Sequence, residues 1–289
     1  MNEMQLSRAV ETLLVDRNPR DMRRASESLQ TGYFLRAARH LHQLQGTVII
    51  ATGFPVSGTF ETDGPVGAMA LYTSLQILGA RPVIACGAPL ACALREHYEV
   101  LELHARDLPT ARAEADIQLT ALQPQAVVVI ESPGLAADGR YYNMHGKDIS
   151  AFCTIFDPFI SLANCPTIAI GDGGNEIGMG NIGNILTSLD IRPSVTGCDE
   201  LLVADVSNWG VYGLIAFLGM WAQQDLLADI APLELLDYLS SRGSVDGVTG
   251  KNTLTEDGLP AQEGLRVIEQ LRQLTQFPRP QPPSPSDTQ

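Results

Sequence analysis

The stretch TVIIATGFPVSGTFETDGPVGAMALYTSLQILGARPVIACG, residues 47–87, decides how the rest of the chain is read. Its opening TVIIAT is an apolar, β-branched run without polar alternation, and RPVIACG at 81–87 repeats that character. A strand with one wet face alternates; a run that does not predicts a strand covered on both faces, as in a parallel sheet. Between the runs, GPVGAMALYTSLQILGA (64–80) places Ala68, Leu71, Leu75 and Leu78 on one helical face, and Gly79 supplies a stop. Strand, loop, helix and strand in that order make the repeating unit of a parallel sheet.

Working outward, QAVVVIE (125–131), TIAIGDGG (167–174) and ELLVADV (200–206) are further runs of the same kind. The pattern predicts an α/β fold: a doubly wound, mostly parallel sheet flanked by helices, a Rossmann-like three-layer sandwich with ligands beyond the carboxyl ends of the strands. Residues 1–45 and 209–274 read as mainly helical, apart from the loop RGSVDGVTGKNTLTEDG (242–258). One domain is expected over residues 1–276. The proline-rich stretch 277–289 lacks the apolar content to offset its ordering entropy and is expected to be a disordered tail.

The formal charge of −14, from 33 acidic and 19 basic residues, argues against general attraction to nucleic acid or anionic membrane. No apolar run approaches the roughly 20 residues that span a bilayer, and the N-terminus lacks a basic segment followed by an apolar block. Five scattered cysteines, Cys86, Cys92, Cys153, Cys165 and Cys198, fit a reducing cytoplasm, and none lies in a nucleophile signature. A cytoplasmic protein acting on a small molecule, with a homo-oligomer as an open option, is the expectation.

Four strand-end loops carry the candidate chemistry. GDGGNEIGMGN (171–181) combines glycines with Asp172, Asn175 and Glu176; the amides of Gly173, Gly174 and Asn175 are suited to a carboxylate or a developing oxyanion. It is neither a G-x-G-x-x-G fingerprint opening a first βαβ unit nor a P-loop, so a nucleotide is not implied. In the loop after the first strand, Thr52 and Gly53 leave the strand where ligands bind, and Asp63 reads equally as a ligand or as a cap of the next helix. ESPGLAADGRYYNMHG (131–146) brings Glu131, Asp138, Tyr141, Asn143 and His145 into one long loop. Ser207 and Asn208 cap the following helix or face a ligand, and Asp246, Thr249 and Lys251 add a further polar loop whose lysine suits a substrate carboxylate. Zinc spacings are absent. Asp63, Asp138, Asp172 and Glu176, with Glu131 and Asp205, are oxygen donors suited to Mg2+ or Mn2+.

Taken in order, TGFPVSGTFETDGPVGA, ESPGLAADGRYYN, GDGGNEIGMGN, VSNWGVYG and SVDGVTG resemble the C-terminal domain of D-glutamate cyclases and their stand-alone bacterial relatives, over roughly residues 45–270. Vertebrate members carry a further large N-terminal domain without a counterpart in these 289 residues. The resemblance implies a hydro-lyase that interconverts D-glutamate and 5-oxo-D-proline. Asp172 or Glu176 would then handle protons, and Asp63 or Asp138 would hold the ammonium group or a metal. Binding of a small acid or a nucleotide without turnover, and Mg2+-dependent phosphoryl transfer, are the alternative readings of the same loops.

Overall fold

A computed structural model describes residues 1–186 and 191–277. The expected tail therefore lies, but for Phe277, outside the described residues. Six strands form one parallel sheet: β1 (Thr47–Thr52), β2 (Arg81–Cys86), β3 (Val100–Glu102), β4 (Ala126–Ile130), β5 (Thr167–Gly171) and β6 (Glu200–Val203). β1, β4 and β5 are buried along their whole length, the reason their sequences do not alternate. The spatial order is β3-β2-β1-β4-β5-β6, with Ile50 paired to Ile84 on one side and to Val128 on the other. The chain thus winds outward from β1 in one direction, then crosses over and winds outward in the other. The crevice between β1 and β4 is the switch point where doubly wound sheets take their ligands.

Right-handed crossovers put α4 (Pro65–Ile77) and the short α5 (Leu90–Leu94) on one face, and α6 (Leu108–Leu122) and α7 (Asp157–Leu162) on the other. Before the sheet come α1 (Glu3–Leu14), α2 (Met22–Ser28) and α3 (Tyr33–Leu41). After β5 comes α8 (Gly183–Leu186), and after β6 come α9 (Ser207–Ala222), α10 (Pro232–Ser240) and α11 (Ala261–Leu274). Helices α1, α3, α4 and α11 all pack around α9, while α6 packs on α7. The result is the three-layer sandwich expected from the strand runs.

Two differences have plain causes. β3 escapes a reading by apolar runs because it is a three-residue edge strand, half-buried throughout. α4 is not one-faced: Pro65 to Tyr72 are all buried, because the helix lies between the sheet and α9. Among the described residues no helix is long and apolar enough to cross a membrane.

Candidate active site

Loops leaving the carboxyl ends of β1, β4 and β5 line a cavity of about 520 Å3. The starts of α4 and α9 meet next to Glu131, one of its lining residues. Asp63, just before α4, accepts hydrogen bonds from the backbone N–H groups of Ser207 (2.9 Å) and Asn208 (2.8 Å), in the first turn of α9. Asn208 returns the favour: its Oδ1 accepts from Gly64 (2.9 Å) and Gly67 (2.7 Å), the opening amides of α4. Each helix is capped by a side chain from the other. Capping of the next helix, one of the two readings of Asp63, Ser207 and Asn208, holds only in that Asp63 Oδ1 also accepts from Gly64 N–H at 3.0 Å; Asn208 caps α4 instead of α9 because the two helices pack closely, and the Ser207 hydroxyl goes to Glu131.

Glu131 leaves β4 with φ +42°, an uncommon left-handed conformation for a side-chain-bearing residue, and its Oε2 accepts from Ser207 Oγ at 2.6 Å. Gly64, at φ +89°, permits this approach: a Cβ there would stand 2.7 Å from both Glu131 Cβ and Thr52 Oγ1. Asp172, directly after β5, receives Arg20 Nη2 at 2.5 Å. One carboxylate oxygen from each of Asp63, Glu131 and Asp172 lies within 4.8 Å of the other two, and all three residues are buried. Oxygen donors in that arrangement suit a hard divalent cation or an ammonium group.

Around this trio stand Glu61, Glu176, Glu256 and Asp257, so that seven carboxyl groups surround one guanidinium. Arg20 bonds Asp257 as well as Asp172 and donates to the Asp205 carbonyl at 3.2 Å. Burial works against its charge, but Asp172 and Asp257 outweigh this and hold it firmly protonated. For the acids burial is the leading cause in the other direction. It pushes Asp63 up to about 7, with the Asp257 and Glu256 charges adding to it, and Glu256 up to about 7 against its bonds from Trp209 and Asn208. Burial raises Glu61, Glu131 and Asp172 well above ordinary carboxylates, with neighbouring carboxyls adding to it and Arg20 opposing it at Asp172 and Glu61. Like charges crowded in a buried cluster favour protonation of some of its members.

The glycine loop does not present an empty anion nest. Glu176 folds back so that its own Oε2 accepts from Gly174 N–H at 2.7 Å; burial raises its pKa above an ordinary carboxylate, with the loop amides, Gly174 first, opposing it. A carboxylate or oxyanion expected on the amides at 173–175 is thus replaced at Gly174 by the chain's own side chain. Asn175 lines the cavity and donates to the Tyr142 carbonyl at 2.9 Å.

Other candidates lie elsewhere. Asp138 is exposed, accepts from Tyr142 OH, and lies outside the cavity lining. The role of holding a metal or an ammonium group there loses its geometry, because the loop 131–146 turns outward at its middle. Tyr141 donates to Asp157 (2.7 Å) within a small second core. Asp246 accepts from Val248, Thr249, Thr255 and Gly258, fixing two loops to each other. Lys251 is exposed and outside the lining, whereas Thr249, Asn143 and His145 are part of it. Asp205 accepts from the backbone of Arg17 and Asn18 and anchors the segment that carries Arg20. Thr52 is buried at the end of β1, and its hydroxyl has no partner.

Four contributors went unread in the sequence. Glu61 and the Glu256–Asp257 pair sit in loops already rich in acids, beside residues that were singled out. Arg20 follows NP in a segment with no local signal; only the tertiary fold brings it to Asp172.

A protein-family model described as D-glutamate cyclase-like, C-terminal, matches residues 10–272. A human protein named "D-glutamate cyclase, mitochondrial" is 32% identical over 201 residues, covering 60% of this chain and 32% of that protein. The chain therefore spans about a third of the length of that relative. The matched family span runs from within α1 to the last turn of α11 and includes Arg20 and all seven clustered carboxyl groups. This chain belongs to the D-glutamate cyclase-like C-terminal family.

Proposed function

We propose that this protein is a hydro-lyase interconverting D-glutamate and 5-oxo-D-proline. The observation that carries the reading is the buried trio of Asp63, Glu131 and Asp172, with oxygens within 4.8 Å of one another at the mouth of the β1–β4 crevice. Ring closure joins the α-amine nitrogen to the γ-carboxyl carbon and breaks a carbon–oxygen bond. The two protons lost from the ammonium group leave with the departing oxygen as water. The groups needed are a base for the ammonium, an acid for the departing oxygen, and a surface that holds the γ-carboxyl neutral.

A cluster of carboxyls raised by burial supplies each. Its ionised members attract the ammonium, and its protonated members carry protons at neutral pH. A γ-carboxyl entering the same surroundings is itself favoured in the neutral, electrophilic form. Asp172 is assigned the proton transfers: of the two trio members that line the cavity, Glu131 is engaged by Ser207, whereas Asp172 is oriented by a cation. Arg20 holds it in place. A cavity of about 520 Å3 leaves room for the folded substrate that lactam formation requires. The trio also has the donor set for Mg2+ or Mn2+, and such an ion would polarise the γ-carboxyl.

The test incubates the purified protein with D-glutamate, L-glutamate and each enantiomer of 5-oxoproline, with and without Mg2+ or Mn2+, and follows both compounds by chiral chromatography. Turnover confined to the D series supports the reading. No turnover of any of the four under any condition overturns it.

A further inference from the structure

A second cleft, of about 220 Å3, opens beside the acidic cavity at the ends of β1 and β2, and the two share Phe54, Pro55, Gly58 and Phe152 along their boundary. Their electrostatics are opposite. Five carboxylate residues line the acidic cavity, whereas Arg106 is the one ionisable residue among the described residues lining the second cleft. Arg106 is exposed, and its Nη1 donates to the Cys153 carbonyl at 3.1 Å.

Thr52 also lines this cleft. It is 3% exposed, and its hydroxyl oxygen is buried with no hydrogen-bond partner. That oxygen lies on the Gly64 side of the strand end, 2.7 Å from where a Gly64 Cβ would stand, so Arg106 is the cleft's recognition group. Across the cleft, Gly87 has no side chain, and a Cβ there would stand 2.2 Å from Thr154 Oγ1; the glycine gives the Thr154 hydroxyl its place.

We infer that this cleft, through Arg106, receives the α-carboxylate of the amino-acid or lactam substrate. The inference rests on the proposed cyclase reading for the identity of the substrate, but the cleft's charge stands apart from it. The α-carboxylate stays ionised throughout ring closure, and the acidic cavity is the wrong surface for it. Arg20, the guanidinium there, is already bonded to Asp172 and Asp257. An α-amino acid astride the shared boundary places its ammonium and γ-carboxyl among the acids and its α-carboxylate beside Arg106. The lactam leaves the same carboxylate behind, so both directions of the reaction use the cleft. Lys147, exposed at the outer rim of the acidic cavity, is the rival cation.

The experiment measures binding of 5-oxo-D-proline and of its uncharged carboxamide by calorimetry to the wild-type protein and to Arg106→Gln and Lys147→Gln. Thermal unfolding of each confirms folding, which substitution at exposed positions should leave intact. The wild type is expected to prefer the acid. Arg106→Gln should weaken the acid at least tenfold, with the carboxamide unchanged. Loss of the acid preference in Lys147→Gln but not in Arg106→Gln overturns the assignment, as does absence of acid binding to the wild type. Acid binding that depends on Arg106, in a protein that turns over none of the four compounds, sinks the cyclase reading and leaves the carboxylate cleft standing.

Discussion

At the scale of single residues, chemistry and stability pull on the same groups. Asp172→Asn keeps the shape of the side chain and removes its proton exchange. Turnover is expected to fall by about 100-fold or more, the range of general acid–base contributions, while the thermal midpoint is retained. A second expectation concerns pH. Asp63 and Glu256 are pushed up to about 7 from ordinary values of 3.8 and 4.5, so the folded protein holds protons that the unfolded chain releases. Their contribution to stability is complete below about pH 4 and is lost as pH rises through about 7. The melting temperature of the ligand-free protein should therefore fall between pH 5 and pH 8. Glu256→Gln, neutral at every pH, should flatten part of that slope; a midpoint that rises over the same interval contradicts the assignment. Residue types were legible here, because acids in glycine-rich strand-end loops stand out. Their raised pKa values were not, since burial of a loop carboxylate is invisible to composition.

At the scale of elements, the crossed caps join α4 to α9. Asn208→Ala would leave the Gly67 amide without its acceptor, the Gly64 amide with Asp63 alone, and Glu256 without one donor. A loss of about 2 kcal/mol or more is expected in urea unfolding, larger than for an exposed cap. Gly64→Ala should cost a similar amount for a different reason. Its φ of +89° strains any side chain, and the added methyl overlaps Glu131 and Thr52. Both variants should also lower turnover, because each displaces a member of the acidic group. Asn208 and Asp63 were recognisable as cap residues from their types and positions ahead of apolar runs, whereas Ser207, open to the same reading, gives its hydroxyl to Glu131. Which helix each one caps was not recognisable, because a cap contacted across 145 positions depends on how α4 and α9 dock.

At the scale of the whole molecule, the N-terminal segment completes the cavity. Arg17 and Asn18 bond Asp205, and Arg20 bonds Asp172 and Asp257, positions separated by up to 237 residues. Arg20→Met would leave the seven acids with no cation among them. The variant is expected to lose at least tenfold in turnover, and its deficit in melting temperature against the wild type should widen from pH 5 to pH 8, as the acids ionise without a partner. An equal deficit at both pH values would mean that Arg20 contributes packing alone. Because α1, the sheet and α11 share one core, we further propose that residues 1–276 unfold as one unit. Far-ultraviolet circular dichroism and tryptophan fluorescence are then expected to report the same transition, and two separated transitions would count against it.

What the chain's order of residues determined by itself was local and additive. Unalternating apolar runs of strand length are buried on both faces wherever they lie, so a parallel sheet with helices on either side followed from them. Glycines and acids after those runs marked the loops of the site, and five such blocks in order marked the family. Tertiary structure alone decided which acids meet. Asp63, Glu131 and Asp172 converge because the crossover between β3 and β4 places β4 against β1 and β5 against β4. Asp138, in the same loop as Glu131, is carried away to solvent. Arg20 reaches the site only through the packing of α1 against the sheet's covering helices and its bonds across the chain. The physical reason is one of range. Burial and backbone preference act over a few residues, whereas the proton affinity of a carboxyl depends on every charge within several ångströms, and folding draws those charges from the whole length of the chain.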